Sequence, residues 1–408
     1  MARVSKDSPR KTSGRSTSPP TLPLASTNSL RKLLSVLRSR ESEMVRLLGH
    51  FVRAESPSDN KPALDRLART LAAEWRKRGA SVKILPQPHN GNHVRIEWRS
   101  SGATHTAPIL LLGHFDTVYE LGTINHMPFR ISRGRAWGPG TFDMKSGLVI
   151  ALFAVDALRR MGLQPRRPVI GLWTSDEEIG SHSSRAYIEL EARRAAAVLV
   201  LEPAGQKDGK IKTTRKGVGE FTLEATGRAA HAGLDPQNGI NAIDELALQI
   251  ARIRRLNRPK HGITVNADVI EGGTRSNVIA EKARTVVDVR APRMFDMGSL
   301  EKKFRSLRPF LRGAKLVVRG GFNRPPLERR VTAGLFDQAK SLGKNLGLQL
   351  EECAAGGGSD GCFTGALGVP TLDGLGGVGD GAHSTNEHVV LRALPERAAL
   401  LAALLSEL

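Results

Sequence analysis

Along residues 29–54, apolar positions recur at helical spacing: Leu30, Leu33, Leu34 and Leu37, then Met44, Leu47, Leu48 and Phe51, with Arg and Lys on the opposite face. Such a stripe predicts one or two docking helices. A basic amphipathic segment lying on a membrane is the alternative reading. Residues 61–79 repeat the pattern through Leu64, Leu67, Leu71 and Trp75, and Gly79 stops it. Val82 to Leu85 and Val94 to Trp98 read as a strand pair. The period then changes. Pro108 to Leu112, Val169 to Trp173 and Ala196 to Leu201 are continuous apolar runs, as expected of strands buried on both faces of a parallel sheet. Between them lie a hairpin over 129–137 and helices over about 146–161 and 183–194. This alternation predicts an α/β fold with a doubly wound, mostly parallel sheet.

After about residue 215 the register changes. Glu220 to Thr226 alternates, a helix fills about 239–255, strands follow at 263–270 and 284–290, a helix near 298–308 and a strand at 315–319. This β-α-β-β-α-β order predicts an inserted ferredoxin-like α+β lid domain over 216–328. Residues 42–215 and 329–408 form the catalytic domain around it, with helices at 331–346 and 394–407. Residues 1–41 are a basic lead expected to be disordered, although its last part carries the leucine stripe.

Composition narrows the chemistry. A chain of 408 residues is too long for one ordinary core. Two cysteines, Cys353 and Cys362, make neither a disulfide framework nor a thiolate zinc site. A reducing compartment, the cytoplasm, is expected. The formal charge is +21, but the basic residues are dispersed and no nucleic-acid motif appears, so nucleic acid is not the expected partner. The field can still steer anionic substrates. No apolar run approaches the ~20 residues that span a bilayer. Residues 1–28 hold one acid, Asp7, and no apolar core, which excludes a secretory signal. A disordered tail is expected there, with an organelle transit peptide as the alternative.

Several apolar runs end in chemistry. Pro108 to Leu112 leads to His114 and Asp116; Val169 to Trp173 leads to Asp176-Glu177-Glu178; Ala196 to Leu201 leads to Glu202. Asp143 ends the tight loop Gly138-Pro-Gly-Thr-Phe, and His383 follows the glycine-rich loop 374–382. Ligands in open α/β sheets bind outside the carboxyl ends of strands. His114, Asp143, Glu178, Glu202 and His383 are imidazole and carboxylate donors that suit zinc. Five are too many for one tetrahedral ion and suit two ions sharing Asp143, with a hydroxide clamped between them. Of Glu177 and Glu178, one can ligate while its neighbour takes a proton from the attacking water. Asp116 is placed to orient His114 by its other nitrogen.

His114-Phe-Asp-Thr-Val-Tyr119, Gly138-Pro-Gly-Thr-Phe-Asp-Met-Lys145, Asp176-Glu-Glu-Ile-Gly180, Glu202-Pro203 and Gly381-Ala-His-Ser384 together resemble the glutamate carboxypeptidase family of dinuclear zinc metallopeptidases. Acetylornithine deacetylase and succinyl-diaminopimelate desuccinylase are its relatives. The resemblance covers about residues 42–408. It implies one zinc on His114, Asp143 and Glu202, a second on Asp143, Glu178 and His383, with Co2+ or Mn2+ as alternatives, and Glu177 as general base. It also implies a lid that makes a homodimer. His231 would polarise the scissile carbonyl in the partner's site. Asn277 and Arg290 would lie near substrate, and Arg324 would grip a terminal glutamate carboxylate, with Lys210 or Lys212 assisting. Ser146 stands where many relatives have Gly, and the basic lead has no counterpart. The implied activity is release of a C-terminal amino acid from a small peptide or N-acyl amino acid. The alternatives are an N-acyl amino-acid deacylase and a non-catalytic binding protein on the same scaffold.

Overall fold

The computed structural model describes residues 27–99, 106–205 and 207–408. Three wholly buried strands, Ile109–His114, Val169–Thr174 and Ala197–Val200, form the middle of a six-stranded sheet. Its order is Ser81–Leu85, His93–Trp98, Val169–Thr174, Ile109–His114, Ala197–Val200, Thr371–Leu372. The last four run parallel and the first two pair antiparallel at one edge. Successive side chains on a strand point to opposite faces, and both faces are covered here. Ile109, Leu111, Val169, Trp173 and Leu199 join the larger core, with the helices Glu41–Arg53, Lys61–Lys77, Ser146–Arg160 and Ala393–Glu407. Leu110, Leu112, Ile170, Leu172, Val198 and Val200 pack with Ile188, Ala192 and Phe363 on the other side. The sheet is therefore mixed and doubly wound.

The helix Ser146–Arg160 is buried on all faces until its last two arginines. Its first turn lies so close to the neighbouring strand that a Cβ on Gly147 would come 2.2 Å from the Leu201 carbonyl oxygen. Ser146 is accommodated: it is buried, and its hydroxyl donates to the Phe142 carbonyl at 3.4 Å.

A second sheet has the order Thr264–Gly272, Lys282–Ala291, Gly217–Thr226, Lys315–Arg324, antiparallel throughout. The helices Ala242–Arg254 and Met294–Arg305 pack with it around a separate core that includes Phe221, Leu223, Leu246, Val287 and Phe304. Its last strand runs five residues beyond the predicted end at 319. An irregularity between Phe322 and Arg324 carries it to the edge of the first domain.

Two features differ from expectation. The lead is not disordered over its whole length: Thr27–Arg38 is a helix whose Leu30, Leu33, Leu34 and Leu37 are buried in the main core. Arg38 pairs with Glu396 at 3.0 Å, and Arg40 is buried against Asp156 at 2.7 Å. The leucine stripe is thus a core face, neither a disordered tail nor a membrane-facing one. Residues 1–26, and the targeting alternatives attached to them, lie outside the described residues. The second difference is a set of short strands with no readable period. Gly379–Asp380 and His388–Val390 extend the hairpin Arg130–Ser132/Arg135–Trp137 into a four-stranded sheet, and Ile211–Arg215 pairs in parallel with Glu352–Ala355. No helix among the described residues is long and apolar enough to cross a membrane.

If the first helix is core, Leu33→Ala lowers unfolding stability by about 2–5 kcal/mol in urea denaturation. A cost below about 0.5 kcal/mol, as for a surface position, would return the helix to a peripheral role.

Candidate metal centre

His114 is the last residue of its strand, Glu202 follows the parallel strand beside it on one side, and Asp176 to Glu178 follow the parallel strand on the other. The parallel register brings three strand ends to one place. The loop Gly138–Asp143 and the loop between Asp380 and His388 close over it. The structure brings His114, Asp143 and Glu202 together as one group, and Asp143, Glu178 and His383 as another, with Asp143 common to both. His114 Nε2 lies 3.3 Å from Asp143 Oδ1 and 3.5 Å from Glu202 Oε1. His383 Nε2 lies 3.5 Å from Asp143 Oδ2 and 3.2 Å from Glu178 Oε2. His383 sits at φ +61°, in the left-handed region that few non-glycine residues adopt.

The donors fit a divalent cation. His114 Nε2 and Asp143 Oδ1 are buried and make no hydrogen bond, although they face each other. Two ligands on a tetrahedral zinc, each about 2.0–2.1 Å from it, lie roughly 3.3–3.4 Å apart. The observed separations match that spacing. Nitrogen and oxygen donors without sulfur suit Zn2+, Co2+ or Mn2+.

Behind the donors stands a second set of fully engaged groups. Asp116 is completely buried. Its Oδ1 lies 3.3 Å from His114 Nδ1 and accepts the Glu177 N–H at 3.2 Å, while its Oδ2 accepts the Glu178 N–H at 3.1 Å and the Ser58 hydroxyl at 2.7 Å. One carboxylate thus orients an imidazole and two consecutive glutamates. Burial disfavours protonation of His114, but Asp116, Asp143 and Glu202 outweigh it and hold its pKa well above the ordinary imidazole value. Burial pushes the Glu177 carboxyl well above the ordinary glutamate value, against the opposing pull of Arg324 and His114.

Sequence reasoning missed three supports. Glu387, fully buried, accepts the N–H groups of Gly140, Phe142 and Asp143 and the Tyr119 hydroxyl. Tyr119 also donates to the Ser384 carbonyl. The segments carrying His114, Asp143 and His383 are tied together through this one carboxylate. Arg215 holds Glu202 Oε2 at 3.1 Å and is itself paired with Asp373 at 2.7 Å. Asp360, from the glycine cluster, pairs with Arg324 at 2.8 Å. The only sequence signal for Glu387 was its place four residues after His383, at the start of a strand too short to recognise.

Arg324 lies beside Glu177. It is buried, and its guanidinium is committed within the chain: to Glu177 Oε1 at 3.0 Å, the Glu177 carbonyl at 2.6 Å, Asp360 and the Ser181 hydroxyl. It holds Glu177 from the second sheet. The other second-sheet residues lie apart from the cluster. Arg290 is half-buried and paired with Asp288 at 2.8 Å. His231 and Asn277 are exposed and adjacent, the Ala232 N–H donating to the Asn277 carbonyl at 2.9 Å. His231 Nδ1 accepts the N–H groups of Gly233 and Leu234, both at 3.1 Å, so in the neutral ring the proton sits on Nε2. No hydrogen bond or ion pair joins His231, Asn277 or Arg290 to the cluster among the described residues. Lys212 is near the cluster, whereas Lys210 pairs with Glu351.

The model of peptidase family M20/M25/M40 matches residues 110–407. The chain belongs to this family. Carboxypeptidase G2 of Pseudomonas sp. (strain RS-16) is 31% identical over 386 residues, 92% of each chain. Among solved structures, an M20 family metallo-carboxypeptidase from Sulfolobus solfataricus superposes with a TM-score of 0.68 at 17% identity, over 89% of this chain and 98% of the other. A dinuclear metal-binding M20 peptidase from Bacillus subtilis gives 0.67 at 14% identity, over 90% and 98%. The M20 membership makes the chain a hydrolytic metallopeptidase, and its cluster of His, Asp and Glu offers donors of matching chemistry.

Glu387→Ala strands three buried backbone donors, and about a tenfold or greater weakening of metal retention is expected in competition with a chelator. Glu387→Gln keeps one acceptor oxygen and loses less. Equal, wild-type retention in both variants would show that the Gly138–Asp143 loop is fixed by other means.

Proposed function

We propose that this chain is a dinuclear metal-dependent exopeptidase that releases a C-terminal amino acid from a small peptide or N-acyl amino acid, with zinc as the preferred ion. The observation that carries this reading is the pair of His–carboxylate groups sharing Asp143, with Glu177 beside them. His114, Asp143 and Glu202 would hold one ion, and Asp143, Glu178 and His383 the other. When bound, such cations polarise a carbonyl and lower the pKa of a water.

The chain's own residues supply the rest. Glu177 takes the proton of the attacking water and delivers it to the nitrogen of the leaving amine, so the amide C–N bond breaks as the new C–O bond forms. Arg324 and Asp116 fix where that carboxylate stands: one holds its oxygen and carbonyl, the other its backbone N–H. A pKa raised by burial suits a group that must first accept and then give a proton. Bound cations would lower that pKa again.

The second sheet has the strand order of a ferredoxin-like unit and is read here as the lid. Asn277 and Arg290 on it, with Arg324 at the end of its last strand, are the residues proposed to meet a substrate carboxylate, and a bidentate guanidinium suits that group. His231, exposed with Nε2–H free to donate, supports a role in polarising the scissile carbonyl across a homodimer. The edge strand Thr264–Gly272, with Ile270 62% exposed, offers the face for a second copy.

Glu177→Gln is expected to keep its bound metal and lose about 10²–10⁴-fold or more in hydrolysis of N-acyl glutamate, measured beside N-acyl ornithine and N-succinyl diaminopimelate. Wild-type turnover by this variant would remove Glu177 from the proton path. Faster cleavage of the ornithine or diaminopimelate compound would make the chain a deacylase.

A further inference from the structure

Four arginines are buried among the described residues: Arg40, Arg215, Arg324 and Arg397. Three have carboxylate partners. Arg40 meets Asp156 and Glu43, Arg215 meets Asp373 and Glu202, and Arg324 meets Asp360 and Glu177. Arg397, 3% exposed, has none among the described residues. Its Nη2 donates to two neutral acceptors, the Gly209 carbonyl at 2.9 Å and the Gly374 carbonyl at 3.1 Å. Its Nε is buried without any hydrogen-bond partner. A charge taken out of water without a counter-charge is among the most unfavourable arrangements a protein interior can hold. Burial accordingly lowers the Arg397 pKa to about 10, against a weak opposing pull from Glu396.

The missing counter-charge has room. Arg397 lines a cavity of about 320 Å³, with Gly209, Gly347, Gln349 and the exposed Arg392 also on its wall. The first turn of the 15-residue helix Ala393–Glu407 opens onto it, adding the positive end of a helix dipole. Two acids lie on the same wall, and each faces a cation: Glu396 is 3.0 Å from Arg38, and Asp208 is 3.6 Å from Lys210. The cavity's two guanidinium groups are left without such matches.

We propose that this cavity binds a small oxyanion, phosphate or carboxylate, between Arg397 and Arg392 at the start of the C-terminal helix. The site is distinct from the metal cluster. None of the five candidate metal donors lines this cavity. Two arginines around one anion supply charge-assisted, geometrically matched hydrogen bonds.

The test uses the full metal-loaded chain. Crystals soaked in selenate are expected to show anomalous density within hydrogen-bond reach of Arg397. Orthophosphate titrated calorimetrically in chloride buffer is expected to bind saturably, with a Kd of about 1 mM or tighter. Arg397→Gln removes the site, and because that change touches the core, Arg392→Gln at the exposed rim carries the mutational arm, weakening binding about tenfold. Displacement of selenate by phosphate or by glutarate identifies the anion class. A cavity without selenium density overturns the proposal. So does density that neither phosphate nor glutarate displaces and that Arg392→Gln leaves unchanged, which would mark an adventitious ion only.

Discussion

Both oxygens of Asp143 are addressed by imidazoles from distant parts of the chain, His114 on one side and His383 on the other. Much of the fold can be understood as the means of bringing those three groups within a few ångströms. A carboxylate between two rings, with Glu178 and Glu202 beside them, concentrates negative charge that bound cations would offset. It therefore requires a scaffold rigid enough to hold negative charge in place. Three parallel strands with wholly buried bodies and chemically active ends meet that need, because a parallel register fixes all three ends together.

Rigidity is completed by carboxylates and an arginine that lie under the cluster and are hydrogen-bonded within the chain. Asp116 binds two backbone N–H groups of the Glu177–Glu178 turn, Glu387 binds three of the Asp143 loop, and Arg215 spans Glu202 and Asp373. Buried ion pairs are costly to build and contribute little net stability, but breaking one leaves an uncompensated charge. That asymmetry suits a site whose geometry must not relax. The contrast with Arg397 is instructive. Where the same physics is left unfinished, the interior contains a cavity and a helix N-terminus instead of a carboxylate.

The long periodic segments were legible from residue types alone. The leucine stripes of the helices and the unbroken apolar runs of the central strands each bury the face their period indicates, and three of the five candidate donors, His114, Glu178 and Glu202, sit together because strand ends are where such a sheet delivers them. What could not be read were elements whose length is below the period needed to see them. The pair Gly379–Asp380 and His388–Val390 totals five residues, yet it sets the loop bearing His383 and places Glu387 under Asp143. Partnership was equally invisible. Asp373 looks like any loop acid until its contact with Arg215 is known, and the first helix looks like part of a basic tail until its leucines meet the C-terminal helix.

Arg324 shows why a residue's type and motif context underdetermine its work. The family resemblance alone casts this arginine as a receptor for a substrate carboxylate. Its strand, however, continues past residue 319 and bends at Asn323, whose amide donates to the Gly180 carbonyl at 3.1 Å. The next side chain is thereby driven under the Asp176–Ser181 turn, where two carboxylates are already waiting. There the guanidinium pairs with both Glu177 and Asp360. The consequence reaches the chemistry: the strand that ends the second sheet also holds Glu177, so the two domains meet at the carboxylate proposed to move the proton, and the position of one sheet is registered at the site of the other.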